Sequence, residues 1–101
     1  MRALLIDAEN RSIEEVDIAG MEDIRGLVGF DTLESDAIGS GGDRLYFDEE
    51  CFLRQSPGRF QVDTLIPVAG KGVVVGTQVD GVTLCDAVTD IDDLRGRIRY
   101  P

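Results

Sequence analysis

The stretch Lys71-Gly-Val-Val-Val-Gly76 predicts a buried strand, because three consecutive valines, a residue type typical of strands, lie between two glycines. A turn signal follows at Asp80-Gly81. Residues 82–85 are predicted to return as a second strand beside the valine strand.

A hairpin is predicted at the start of the chain. Residues 2–7 form an apolar run that predicts a strand inside the sheet. Residues 13–18 predict the next strand, in which Val16 and Ile18 point one way while Glu15 and Asp17 point the other. A short turn joins the two segments, so antiparallel pairing is the expected connection.

A short helix is predicted over residues 20–29. Apolar side chains recur there at helical spacing, and Glu22 and Asp23 lie in the first turn, where the helix dipole favours acids. Gly29 can adopt the left-handed conformation that ends a helix. Residues 32–37 predict a further strand.

An acidic turn separates two aromatic segments in the middle of the chain. Residues 44–47 and 51–54 are predicted to be the two strands of a hairpin, with Asp48, Glu49 and Glu50 as its turn. Because turn tips are solvated, these three acids are interpreted as exposed and as candidate partner-facing residues.

The last third of the chain predicts one ambiguous segment and one clear helix. Residues 60–66 fit either a helical turn or a strand. In the helix that follows, Thr89 is the candidate N-cap and Ile91, Leu94 and Ile98 form the inner face. The acids near its start and the arginines near its end agree with the helix dipole.

The predicted elements define the fold class. A chain of 101 residues is expected to form a single domain, residues 1–101. The prediction is an α+β fold, a mostly antiparallel sheet with one short helix in the N-terminal half and one C-terminal helix that packs on a sheet face.

Net charge excludes several function classes. The chain has 20 Asp and Glu against 10 Lys and Arg, which gives a formal net charge of −10. Such a surface repels nucleic-acid phosphates and anionic lipid heads, so neither nucleic acid nor membrane is an expected partner. The chain has no histidine, the usual general base near neutral pH and the commonest metal ligand.

The two cysteines carry little functional information. Cys51 and Cys85 form neither a CxxC motif nor a metal-binding spacing, so we expect two reduced thiols, with a disulfide as the alternative. No secretion signal or apolar run of membrane-spanning length is recognised, and a cytoplasmic location is expected.

Other candidate sites have ordinary structural explanations. Lys71, the one lysine, lies between two glycines and is predicted to be an exposed turn residue. The glycine-rich segment 39–42 lacks the spacing of a phosphate-binding loop. Acid clusters at 14–17, 48–50 and 90–93 lack the pattern of a calcium-binding loop and are interpreted as solvated surface. No catalytic residue, metal ligand or cofactor is predicted.

Several short motifs occur in an order that resembles a family. They are the opening Met1-Arg-Ala-Leu-Leu-Ile-Asp7, Glu14-Glu15-Val16, Leu27-Val28-Gly29, Leu45-Tyr-Phe-Asp-Glu-Glu50 and Gly72-Val-Val-Val-Gly76. Together they resemble a small family of uncharacterised domains found in phages, plasmids and bacterial genomes. That family has an Asn-Glu-Glu-Gly turn where this chain has Asp48-Glu49-Glu50-Cys51. The resemblance implies a small α+β domain and a mobile-element origin, and it supplies no catalytic residue.

Three functions remain open from the sequence. The favoured one is a non-enzymatic interaction domain, such as a phage or plasmid accessory protein, that is a monomer or weak homo-oligomer and binds a protein partner. The first alternative is an acidic mimic of nucleic acid that inhibits a DNA- or RNA-binding protein. The second is a small enzyme that depends on carboxylates or a metal. The surface distribution of the acids discriminates among them.

Overall fold

A computed structural model describes all residues, 1–101, and confirms the α+β class. The chain forms nine strands and two helices. In order they are β1 (Arg2–Asp7), β2 (Ser12–Asp17), α1 (Met21–Val28), β3 (Leu33–Ala37), β4 (Asp43–Asp48), β5 (Arg59–Val62), β6 (Val68–Ala69), β7 (Lys71–Thr77), β8 (Leu84–Cys85), α2 (Ile91–Arg97) and β9 (Ile98–Arg99).

The valine strand is buried as predicted, and it lies at the centre of the main sheet. The strand order is β2-β1-β7-β4-β3, every pairing is antiparallel, and β8 also pairs with β7. Val73, Val74 and Val75 have no exposed surface, because β7 has a strand on each side and a packed layer on each face. The predicted first hairpin, β1 with β2, is confirmed.

Helix α1 covers one face of this sheet. Ile24 and Val28 of α1 pack against Val73 and Val75 of β7. The helix ends as predicted at Gly29, which has a φ of 94° and donates its N–H to the carbonyl oxygen of Arg25 at 2.7 Å. The side chains of Glu22 and Asp23 lie in its first turn.

The second face is covered by a small sheet and by α2. The small sheet has the order β6-β5-β9, so the strand interpretation of the 60–66 segment is correct for residues 59–62. Phe60 of β5 and Leu94 of α2 are fully buried against Leu4 and Val74 of the main sheet. A Cβ atom at Gly72 would lie 2.7 Å from the Phe60 ring, so glycine is required at this close approach.

The predicted hairpin of residues 44–47 with 51–54 is wrong. Strand β4 pairs with β3 on one side and β7 on the other, so no third strand can join it. Residues 49–55 form turns instead, with Phe52 47% and Leu53 84% exposed. The aromatic pattern indicated pairing with the segment that follows β4, but β4 pairs with β3, which precedes it, and with the distant β7.

Two details of the C-terminal region also differ from prediction. The N-cap of α2 is Asp90, whose carboxylate accepts the N–H groups of Asp92 and Asp93, whereas Thr89 donates its hydroxyl to Asp43. Strand β8 is shorter than predicted, because Val82 lies in the turn. Leu94 is buried as predicted and Ile91 is partly buried, whereas Ile98, predicted on the inner face of the helix, lies after its end as the first residue of β9.

Neither helix has the length and apolar composition needed to cross a membrane.

Candidate functional site

Asp48 is a buried residue of the turn and not the exposed acid that the sequence predicts. Only 2% of it is exposed. Its carboxylate accepts hydrogen bonds from Arg54 Nε at 2.8 Å, from the backbone N–H of Glu50 at 3.1 Å and from the hydroxyl of Thr32. The prediction that placed Asp48 among exposed acids fails because the turn folds back over the end of β4.

Arg54 fastens this turn to the segment after α1. Its guanidinium lies 4.1 Å from the centre of the Phe30 ring, and it donates to Thr32 Oγ1 at 3.2 Å. It also forms a longer ion pair with Glu50 at 3.3 Å. Asp48 and Arg54 thus neutralise each other inside a well-connected loop.

Glu49 is exposed and lies beside a second carboxyl that the sequence did not reveal. Its pKa is raised above the ordinary 4.5, first by a side-chain hydrogen bond with Glu34, then by partial loss of hydration and by repulsion from Glu34, Glu50 and Asp48. Glu34 was missed because the pairing partner of β4 was predicted incorrectly.

Asp36 extends this acidic surface along β3. In the β3–β4 register Glu34 pairs with Phe47 and Asp36 with Leu45, so both acids lie on one face of the edge strand. Alternate residues of a strand are separated by about 7 Å. We call Glu34, Asp36 and Glu49 the acidic edge.

The acidic edge has no compensating cation within the chain. None of the eight ion pairs includes Glu34, Asp36 or Glu49. The nearest strand arginine, Arg44, donates from Nε to Ser35 Oγ and from Nη2 to Ser35 O, both at 3.0 Å. Ser35 pairs with Tyr46, so this contact lies on the opposite face of β3 from the acids.

The other predicted acid clusters are part of the structure or the open surface. Asp90 caps α2, Asp92 pairs with Arg95, and Asp93 pairs with Arg97. On β2, Glu15 pairs with Arg2. The structure contains no group of three or more acids, cysteines or histidines placed to hold a metal ion.

A cavity of about 320 Å³ lies beside the C-terminal end of α1. Its lining includes Asp7, Glu9, Asp48 and Lys71, together with Ser56, its one hydroxyl-bearing side chain. Lys71 is exposed as predicted, but it is the first residue of β7, opposite Asp7, rather than part of a turn. Ser56 makes no side-chain hydrogen bond to a base.

The remaining predicted candidates are structural. The glycine-rich segment 39–42 connects β3 to β4 and is fixed at Gly42, whose carbonyl accepts both the N–H and the hydroxyl of Thr77. Both thiols are free: Cys51 is buried and accepts the N–H of Ala69 at 3.3 Å, and Cys85 is half-buried.

No protein-family model, curated protein or solved structure matches this chain. The resemblance to the phage and plasmid domains, and the mobile-element origin that it implies, therefore stay predictions.

Proposed function

We propose that this chain is a non-enzymatic interaction domain that binds a basic surface of a protein partner through its acidic edge. The observation that carries the proposal is the position of Glu34 and Glu49 on one face of the β3–β4 pair, where both are exposed and neither forms an ion pair. Like charges held together destabilise the free protein, and a cationic partner removes that repulsion when it binds.

The position of the acidic edge supports this function. Both faces of the main sheet are covered, by α1 on one side and by the small sheet with α2 on the other. The edge strand β3 combines free backbone groups with acids that form no ion pair. A nucleic-acid mimic would also bind a basic surface. The identity of the partner therefore decides between the two functions, since a DNA- or RNA-binding partner would favour the mimic.

Affinity capture from cells of the source organism tests the proposal. The wild type is compared with Glu34→Gln/Glu49→Gln, and the matched control is Glu9→Gln/Glu14→Gln, which removes two exposed acids elsewhere. We expect a cross-linked partner with the wild type and the control, and its loss with the acidic-edge variant. Equal capture by all three proteins, or no partner for the wild type, would contradict the proposal.

A further inference from the structure

The outer side of β3 presents unpaired backbone groups. The N–H of Glu49 bonds to the carbonyl oxygen of Thr32, and the N–H of Ile38 bonds to that of Asp43. These two bonds determine which residues of β3 direct their backbone groups toward β4. Because hydrogen-bonded pairs alternate in an antiparallel ladder, Leu33, Ser35 and Ala37 direct their N–H and C=O groups away from β4. The N–H groups of Ser35 and Ala37 have no acceptor in the protein.

The opposite edge strand, β2, is partly covered by α2. Helix α2 packs against β2, and Arg95 of α2 donates to the carbonyl oxygen of Ile13 at 3.4 Å. At β3 the protection is partial: Arg44 occupies one lone pair of the Ser35 carbonyl, and the N–H of Leu33 bonds to Asp31. Edge strands left in this state are templates for another strand.

A second copy of β3 does not fit this template. Antiparallel pairing through Leu33, Ser35 and Ala37 allows three overlapping registers. These registers place Glu34 opposite Asp36, Glu34 opposite Glu34, or Asp36 opposite Asp36 of the second copy. Like charges directly opposite each other destabilise a strand pair, so the acids oppose self-association at this edge.

The two sides of β3 define the complementary strand. Glu34 and Asp36 lie on one face of β3. Leu33, Ser35 and Ala37, which are apolar or small, lie on the other face. Residues opposite the acids gain most if they are Lys or Arg, and those opposite the small side chains gain if they are apolar or β-branched.

We infer that β3 is a strand-addition site for an extended segment of a partner protein with a basic residue at every second position. This inference rests on the proposed function and adds the mode of recognition. Backbone hydrogen bonds to Ser35 and Ala37 would give affinity, and the carboxylates of the acidic edge would select the basic alternation.

Two peptides of equal charge separate strand addition from simple attraction. The probe is acetyl-Lys-Val-Lys-Thr-Lys-Val-Lys-amide, and the control replaces Val and Thr by Pro, which removes the N–H groups that a ladder needs. Binding to the ¹⁵N-labelled protein is followed by NMR at low salt, together with hydrogen exchange of the Ser35 and Ala37 amides.

Two variants complete the experiment. Ala37→Pro removes an outward N–H that β4 does not use, and Glu34→Gln/Asp36→Asn removes charge without changing the backbone. We expect the alternating peptide to slow exchange at Ser35 and Ala37 and to bind about tenfold or more tightly than the proline peptide. Both variants should weaken binding of the alternating peptide. If Ala37→Pro does not fold, Glu34→Gln/Asp36→Asn still tests the inference.

The outcomes distinguish the inference from the proposed function. Equal binding of the two peptides at the acidic edge, without protection of the amides, would overturn strand addition and leave the proposed function in place. Absence of binding by either peptide would overturn both. If the wild type forms a dimer and the Ser35 amide is protected from hydrogen exchange in that dimer, a second copy of this chain occupies the edge. That result would overturn the inference that the added strand comes from a partner protein.

Discussion

Glu34 of β3 and Glu49, which follows the end of β4, lie on the same face of the β3–β4 pair, because Glu34 is opposite Phe47 and Glu49 is two residues further along and bonds to Thr32. Two carboxylates this close cannot both ionise without repulsion, which is why the pKa of Glu49 lies above 4.5. Asp48, the preceding residue, is buried and paired with Arg54. Adjacent acids therefore have opposite roles: Asp48 holds the turn, and Glu49 leaves charge at the surface.

The raised pKa of Glu49 predicts a pH-dependent effect of its replacement. Because the folded protein holds this proton more tightly than the unfolded chain, the residue's favourable contribution is present at low pH and is lost as pH rises through its titration. The melting temperature of Glu49→Gln relative to wild type should therefore rise between about pH 4 and about pH 7. Glu9→Gln, at an exposed position without an ion pair, is the control. A difference independent of pH would show that the carboxyls do not interact.

Asp48→Asn should destabilise the protein more than Glu50→Gln. Asp48 is 2% exposed and accepts three hydrogen bonds, so loss of its charge removes the shorter of the two ion pairs of Arg54 and should cost about 1–3 kcal/mol in urea unfolding. Glu50 forms an exposed ion pair at 3.3 Å, whose loss should cost less than about 1 kcal/mol. Equal losses for the two variants would mean that Asp48 does not organise the turn.

Leu94→Ala should lower the free energy of unfolding by about 2–5 kcal/mol, because this leucine is fully buried between α2 and the sheet. Leu53→Ala provides the matched control, since Leu53 is 84% exposed and its replacement should change stability by no more than about 0.5 kcal/mol. Chemical denaturation of the two variants measures both values. A loss below about 1 kcal/mol for Leu94→Ala would contradict the packing of α2 on the sheet.

Local sequence patterns predicted most of the elements but not the assembly of the acidic edge. The valine strand, the first hairpin and α1 follow from apolar spacing and from Gly29, all of which are properties of short segments. The partners of β4 are β3, which precedes it in the chain, and the distant β7, so the hairpin with the following residues 51–54 was predicted wrongly. The burial of Asp48 and the contact of Glu34 with Glu49 follow from that pairing. No local pattern carries them.

The carboxyl pKa of Glu49 tests the central claim most directly. It can be measured by a ¹³C NMR pH titration of the wild type and Glu34→Gln, with and without the alternating Lys peptide. We predict a pKa above 4.5 in the wild type, a lower value in Glu34→Gln, and a lower value in the wild type when the peptide binds. A Glu49 pKa that neither the variant nor the peptide changes would contradict the account of an uncompensated acidic edge that binds a basic partner.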